Sequence, residues 1–230
     1  MSGDPPTPPG AIARAPSAWG PGWGRWLGWA IARGWLSMRV DGREHMPRHG
    51  PAIVAANHSG LLDGPAVHAV AGRGVHFLIK EELSRGIGGR IFLAAGQIPV
   101  ARASGRGALE AALEVLRAGR VVGIFPEGTR GAGRASTIRA GVGWLAVHSG
   151  APVIPVACLG TRRDGESPNH VPTFRRRVAV SFGSPLDISP ALALGVTREA
   201  VGVAIDVIGR GLAAHVAETE ARTGIALPTR

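Results

Sequence analysis

The sequence predicts an α/β fold: a mostly parallel central sheet flanked by helices, preceded by an N-terminal interfacial helical segment. Three observations predict it. Strand-length apolar runs alternate with helix-spaced segments from about residue 39 to 225. Several runs, among them residues 52–56 and 153–159, are apolar throughout rather than alternating, as strands covered on both faces are. Polar clusters follow directly on three strand runs, and in parallel sheets functional groups gather beyond the carboxyl ends of strands. A chain of 230 residues holds one domain with a full core.

Residues 1–18 are rich in proline, glycine and alanine, lack an apolar core, and read as a disordered tail, not a secretory signal. Residues 19–38 hold five of the six tryptophans: Trp19, Trp23, Trp26, Trp29 and Trp35. At 3.6 residues per turn, Trp23, Trp26, Leu27, Ala30, Ile31 and Met38 share a face. Tryptophan suits the half-wet membrane interface and arginine is drawn to anionic headgroups. The stretch therefore reads as a helix lying on a bilayer. The alternative is that its rings pack on the domain or on a partner copy. Glycines at 20, 22, 24, 28 and 34 weaken the helix, by about 1 kcal/mol for each interior one.

The domain follows, over residues 39–225. Residues 40–46 read as a short strand and turn, and residues 51–56 as a buried strand. Residues 65–71 form a helix with Asp63 near its start and Pro65 in the first turn. A strand at 75–79 leads to a helix at 83–95, softened by Gly86, Gly88 and Gly89, and a strand at 97–101 ends at Arg102. Leu109, Ala112, Leu113 and Leu116 line one face of a helix over 107–118, which Gly119 stops. A strand at 121–125, a helix at 141–148 and a strand at 152–159 come next. Val178, Val180 and Phe182 alternate in a half-exposed strand at 177–182, and residues 197–222 make a last long helix. With no run of 18 or more uninterrupted apolar residues, no spanning helix is expected.

The formal net charge is +10, and Lys80 is the only lysine, so nearly all the positive charge is arginine. Arginine pairs bidentately with phosphate, which points to anionic partners, although GC-rich coding bias also enriches it. The basic residues do not form one block and the tryptophans do not interleave with them, which excludes a nucleic-acid site. The run Arg175, Arg176 and Arg177 reads as a solvated anion-attracting patch. The single cysteine, Cys158, lies in an apolar strand and reads as a small hydrophobe. It excludes an intrachain disulfide, and the scattered histidines offer no metal site. A serine hydrolase lacks its nucleophile elbow here.

The chemistry concentrates in two clusters. Asn57 and His58 follow the strand at 51–56, with Asp63 five positions after the histidine. A base and an orienting carboxylate are the minimal parts for activating a hydroxyl. Phe125, Pro126, Glu127, Gly128, Thr129 and Arg130 follow the next buried strand. Gly128 permits close backbone approach, Thr129 can donate a hydrogen bond and Arg130 a charge-assisted pair, which suits a phosphate.

The Asn57-His58-x4-Asp63 block resembles the first signature of the glycerolipid acyltransferases related to 1-acylglycerol-3-phosphate acyltransferase. The stretch 96–102, ending in Arg102, resembles their second block, and 125–130 their third. Arg139 with Gly141 is similar to the basic-x-Gly step that follows, and 151–157 to the fourth, apolar block. The resemblance covers about residues 36–185. It departs at Gly60 and Gly131, where many relatives carry serine, and at Ile138, where many carry an aromatic residue.

The resemblance implies transfer of a fatty acyl group from acyl-CoA or acyl carrier protein to the hydroxyl of a lysophospholipid, with 1-acylglycerol-3-phosphate as the default acceptor and phosphatidic acid as product. His58 would act as general base oriented by Asp63, with Asn57 ordering the loop. Arg102, Glu127, Gly128, Thr129, Arg130 and Arg139 would bind the acceptor, with Glu127 orienting an arginine or a glycerol hydroxyl. No cofactor or metal is expected beyond the acyl thioester. The implied partners are a membrane phospholipid surface, the lysophospholipid and the acyl donor. The implied location is the cytoplasmic face of the cell membrane, peripheral or monotopic. Alternatives are another lysolipid or polar-lipid acceptor, or a non-catalytic lipid-binding protein.

Overall fold

The computed structural model of the protein describes residues 20–22, 29, 34–100, 105–135 and 137–229. The expected tail at 1–18, most of the expected interfacial helix, and Arg102 lie outside the described residues.

Seven strands form one sheet: β1 (Leu36–Asp41), β2 (Ala52–Ala56), β3 (Val75–Lys80), β4 (Ile98–Val100), β5 (Val121–Ile124), β6 (Val153–Leu159) and β7 (Arg176–Phe182). Their order is β1-β7-β6-β2-β5-β3-β4. The five strands from β6 to β4 pair in parallel, whereas β7 runs antiparallel to β6 and β1 parallel to β7. The helices are α1 (Asp63–Val70), α2 (Gly86–Ala94), α3 (Arg106–Arg117), α4 (Ala140–Ser149), the short α5 (Ser189–Leu192) and α6 (Arg198–Thr223).

Alternate residues of β2 feed two different cores. Ile53 and Ala55 pack with Val122, Ile124, Val142, Leu145, Ala204 and Ile208 on the face covered by α3, α4 and α6. Ala52, Val54 and Ala56 pack with Ala66 and Val67 of α1, and with Phe77 and Val156, on the other. A strand buried on both faces needs no polar alternation, which is why β2 and β6 read as continuous apolar runs. Arg73 joins three turns outside these cores by donating to the carbonyls of Pro47, Gly50 and Gly119 at 3.0, 2.7 and 2.9 Å.

Helix α6 is long and apolar enough to cross a membrane by length and composition. Ala200, Ala204, Ile208, Leu212 and Val216 are instead buried in the domain at four-residue spacing, and Thr197 caps its first turn by accepting from the Ala200 N–H at 3.1 Å. It is a core helix.

Three expectations are corrected. The first strand starts at Leu36, not Val40, so Met38 belongs to the sheet opposite Val178 and not to an interfacial helix face. The backbone ladder with β7 and the burial of Leu36 fix that start. Arg176 is not solvated: it is buried and grips Glu166 with two bonds, Nη1–Oε2 at 3.1 Å and Nη2–Oε1 at 2.7 Å. That guanidinium holds the Glu166 carboxyl down at about 2. The segment 83–95 is a 3-10 turn at Glu81–Ser84 followed by α2, since Arg85 between them is extended at φ −93 and ψ 154 and Gly86 opens α2 at φ 69.

Candidate active site

The site begins where β2 ends. Asn57 continues the pairing with its side chain: its Nδ2 donates to the Cys158 carbonyl at 3.2 Å and its Oδ1 accepts from the Cys158 N–H at 2.7 Å. The backbone is thereby free to turn, and His58 emerges at the carboxyl rim of the sheet. Its Nδ1 lies 3.0 Å from Asp63 Oδ2. A carboxylate only accepts, so Nδ1 carries the proton and Nε2 keeps its lone pair for another partner. The ring stacks on Phe125 with centroids 4.0 Å apart at 16°, and Phe125 stacks on Phe77 at 5.2 Å. Its side chain keeps 15% of its surface exposed, which leaves access to an edge of the base.

Asp63 is fully buried at the first position of α1. Burying a carboxylate is costly unless its oxygens are hydrogen-bonded. Oδ2 accepts from the Ser59 N–H at 2.7 Å and the Gly60 N–H at 2.8 Å as well as from His58. Oδ1 accepts from the Thr161 hydroxyl. The Cys158 thiol also faces Asp63, and burial together with that carboxylate pushes its pKa up, so it stays protonated.

The second cluster follows β5. Glu127 turns its carboxylate inward: Oε1 accepts from the His58 N–H at 3.1 Å, and the Ala135 N–H bonds the same group. Burial raises its pKa against those two bonds. The loop is tied to His58 again by the Gly131 N–H, which donates to the His58 carbonyl at 3.0 Å. Gly128 sits at φ 73 with the Arg139 side chain against it, where a β-carbon would run into the guanidinium stem. Arg139 is the N-cap residue of α4, and its Nε donates to the Glu127 carbonyl at 3.4 Å. Buried Arg162 straps both loops, its Nη1 donating to the Gly131 carbonyl at 3.1 Å and the Ser59 carbonyl at 3.4 Å.

Thr129 and Arg130 line a cavity of about 380 Å³ with Lys80, Glu82, Leu83, Pro168 and Asn169. Arg130 is held by neutral acceptors, the Asn169 side chain and, at 3.4 Å, the Pro168 carbonyl. Among the described residues neither Arg130 nor Lys80 enters an ion pair. His58 is outside the lining and is connected to the cavity through the loop 127–130.

The structure thus brings together Asn57, His58, Asp63, Glu127 and Gly128, sets Thr129 and Arg130 at the adjoining cavity, and puts Arg139 against Gly128. Sequence reasoning missed Lys80, Thr161 and Arg162. Lys80 ends β3, and its place beyond a parallel strand was the one available signal. Thr161 and Arg162 reach the site from 98 and 103 residues away in sequence, and nothing local marks them.

The largely parallel α/β sheet thus carries a histidine–carboxylate pair at its carboxyl rim, with a cavity lined by Lys80, Arg130 and Glu82 across the loop that follows β5. A family model described as acyltransferase matches residues 37–159, more than half the chain, and the protein belongs to that family. It is 32% identical over 131 residues (55% of this chain, 52% of the relative) to a 1-acyl-sn-glycerol-3-phosphate acyltransferase of Borreliella burgdorferi. It is 29% identical over 145 residues (57% and 40%) to the chloroplastic enzyme LPAT1 of Arabidopsis thaliana, and 27% over 126 residues (54% and 63%) to the Bacillus subtilis enzyme. The matched stretches span about half the length of these relatives. Among solved structures, the 1-acyl-sn-glycerophosphate acyltransferase PlsC of Thermotoga maritima superimposes with a TM-score of 0.64 at 27% identity, over 88% of this chain and 80% of that one.

Proposed function

We propose that the protein transfers a fatty acyl group from acyl-CoA or acyl carrier protein to the free hydroxyl of a lysophospholipid, 1-acylglycerol-3-phosphate giving phosphatidic acid, at the cytoplasmic face of a membrane. The carrying observation is His58, held at Nδ1 by a buried carboxylate with Nε2 left as a base, beside a cavity bearing Lys80 and Arg130. The relatives named for this reaction support the acceptor class.

The thioester carbonyl is already electrophilic, so the demand falls on the alcohol. Nε2 takes the hydroxyl proton as the oxygen attacks the carbonyl carbon, and Asp63 stabilises the imidazolium that forms. The tetrahedral adduct then collapses, the C–S bond breaks and the imidazolium returns its proton to the departing thiolate. Base catalysis of this kind contributes about 10²–10⁴-fold. Arg130 and Lys80 hold the acceptor phosphate, Thr129 adds a hydrogen bond, and Arg102 is assigned to the same phosphate. Glu127 braces the His58 backbone.

The test is purified protein with vesicles, labelled acyl-CoA or acyl carrier protein, and a panel of lysolipids. Labelled phosphatidic acid is the expected product. Acylation of another lysolipid in preference would move the acceptor, and lysolipid binding with no acylated product would overturn the reaction.

A further inference from the structure

We infer that Thr161 is a positioning residue for the His58–Asp63 pair, and that position 60 is glycine because the Thr161 hydroxyl occupies the space a side chain there would need. The inference rests on the acyl-transfer reading above. Thr161 is fully buried two residues beyond β6, and its hydroxyl donates to Asp63 Oδ1. The three bonds to Oδ2 come from His58, Ser59 and Gly60, all on the loop that carries the base itself. Those bonds fix the carboxylate to that loop, not to the sheet. The terminal torsion of an aspartate is broad, so a carboxylate held at one oxygen can still rotate. Thr161 holds the other oxygen from a different element. The Cys158 thiol approaches from the same strand as a weaker donor.

Gly60 confirms the tightness of the arrangement. Its φ is outside the left-handed region, so the backbone there does not demand glycine. Space does. A β-carbon at position 60 would stand 2.9 Å from Thr161 Oγ1, 3.2 Å from Arg162 Cβ and 3.3 Å from the Thr161 carbonyl carbon. Positions 60 and 161 therefore share one volume beside Asp63, and in this chain the hydroxyl in it is supplied from the turn just beyond β6. A serine at 60 with a smaller residue at 161 would place its hydroxyl in the same volume from the loop side.

The experiment compares wild type with Thr161→Val, Thr161→Ser, Thr161→Ala, Gly60→Ser and the double variant Gly60→Ser/Thr161→Ala. Each is read by thermal melt, by kcat and both KM values, and by the ¹⁵N spectrum of the histidine-labelled protein, which reports the His58 tautomer without any turnover. Thr161→Val keeps the shape and is expected to lower kcat by about tenfold or more at unchanged KM, the scale of one hydrogen bond to a charged group. Its His58 signal is expected to lose the single Nδ1–H form. Thr161→Ser is expected to restore both readouts. Gly60→Ser alone is expected to impair them, and the double variant to exceed Thr161→Ala. A wild-type tautomer in Thr161→Val, a Thr161→Ser as impaired as Thr161→Val, or a harmless Gly60→Ser would each overturn the inference. If wild type acylates nothing, the acyl-transfer reading fails separately, and the tautomer comparison still decides the role of Thr161.

Discussion

Asn57 and Cys158 exchange two hydrogen bonds, the asparagine side chain giving one to the Cys158 carbonyl and taking one from its N–H. A side chain here does the work of the next rung in the β2–β6 ladder. The main chain leaves the sheet one residue before His58 without stranding the Cys158 peptide groups, which are fully buried. Asn57→Ala removes both bonds and leaves a buried N–H and C=O unpaired. The expected cost is about 2–4 kcal/mol of stability, measured by urea unfolding, with a parallel loss of activity.

His58→Ala should lower kcat by about 10²–10⁴-fold while the melting temperature stays close to wild type, because the ring makes one hydrogen bond and one stacking contact at a partly exposed site. Turnover at the wild-type rate would remove the base from the mechanism.

Arg130→Ala and Lys80→Ala should raise the KM of a phosphate-bearing acceptor by about tenfold each, with a smaller effect on the acyl donor, since each removes a cation from the same cavity. Initial rates with the two substrates varied separately check this. Equal effects on donor and acceptor would place the phosphate elsewhere.

His76 gives a pH dependence with a defined sign. It is buried, its Nδ1 bonded to the Gly96 carbonyl at 2.7 Å, and desolvation lowers its pKa from 6.5 to about 4. The unfolded chain binds the proton more readily, so the stability contributed by neutral His76 is fully present above pH 6.5 and drains away as pH falls toward 4. The loss approaches roughly 3 kcal/mol. Urea midpoints at pH 7 and pH 4.5 should differ more for wild type than for His76→Asn. An identical pH response in the two proteins would show that His76 titrates normally.

The sheet was readable because β2, β5 and β6 are buried on both faces and write that burial as unbroken apolar runs. The His58–Asp63 pair was readable because five residues of sequence separate its members. Thr161 and Arg162 were not, since they meet the site only once β6 lies beside β2. The inward turn of Glu127 was equally hidden: whether a carboxylate faces a ligand or a neighbouring backbone N–H is decided by packing. The start of β1 was misjudged although Leu36, Met38 and Val40 alternate with Ser37 and Arg39, because the run of tryptophans just before it suggested a helical face that took in Met38.

The reversed direction of β1 has a consequence for the geography of the molecule. Because β7 folds back on β6 and β1 follows β7, Leu36 starts at the same rim as His58, beyond the end of β6. The half-exposed Trp35 is anchored there by its Nε1–H on the Pro172 carbonyl at 2.7 Å, with Phe174 packed edge-on against it at 5.7 Å. Were all seven strands parallel, this aromatic edge would sit at the far end from His58. As built, the start of β1 and the His58–Asp63 pair open on one shoreline. Under the proposed acyl transfer, a lysophospholipid whose tail stays dissolved in lipid would need to lift only its headgroup to reach His58.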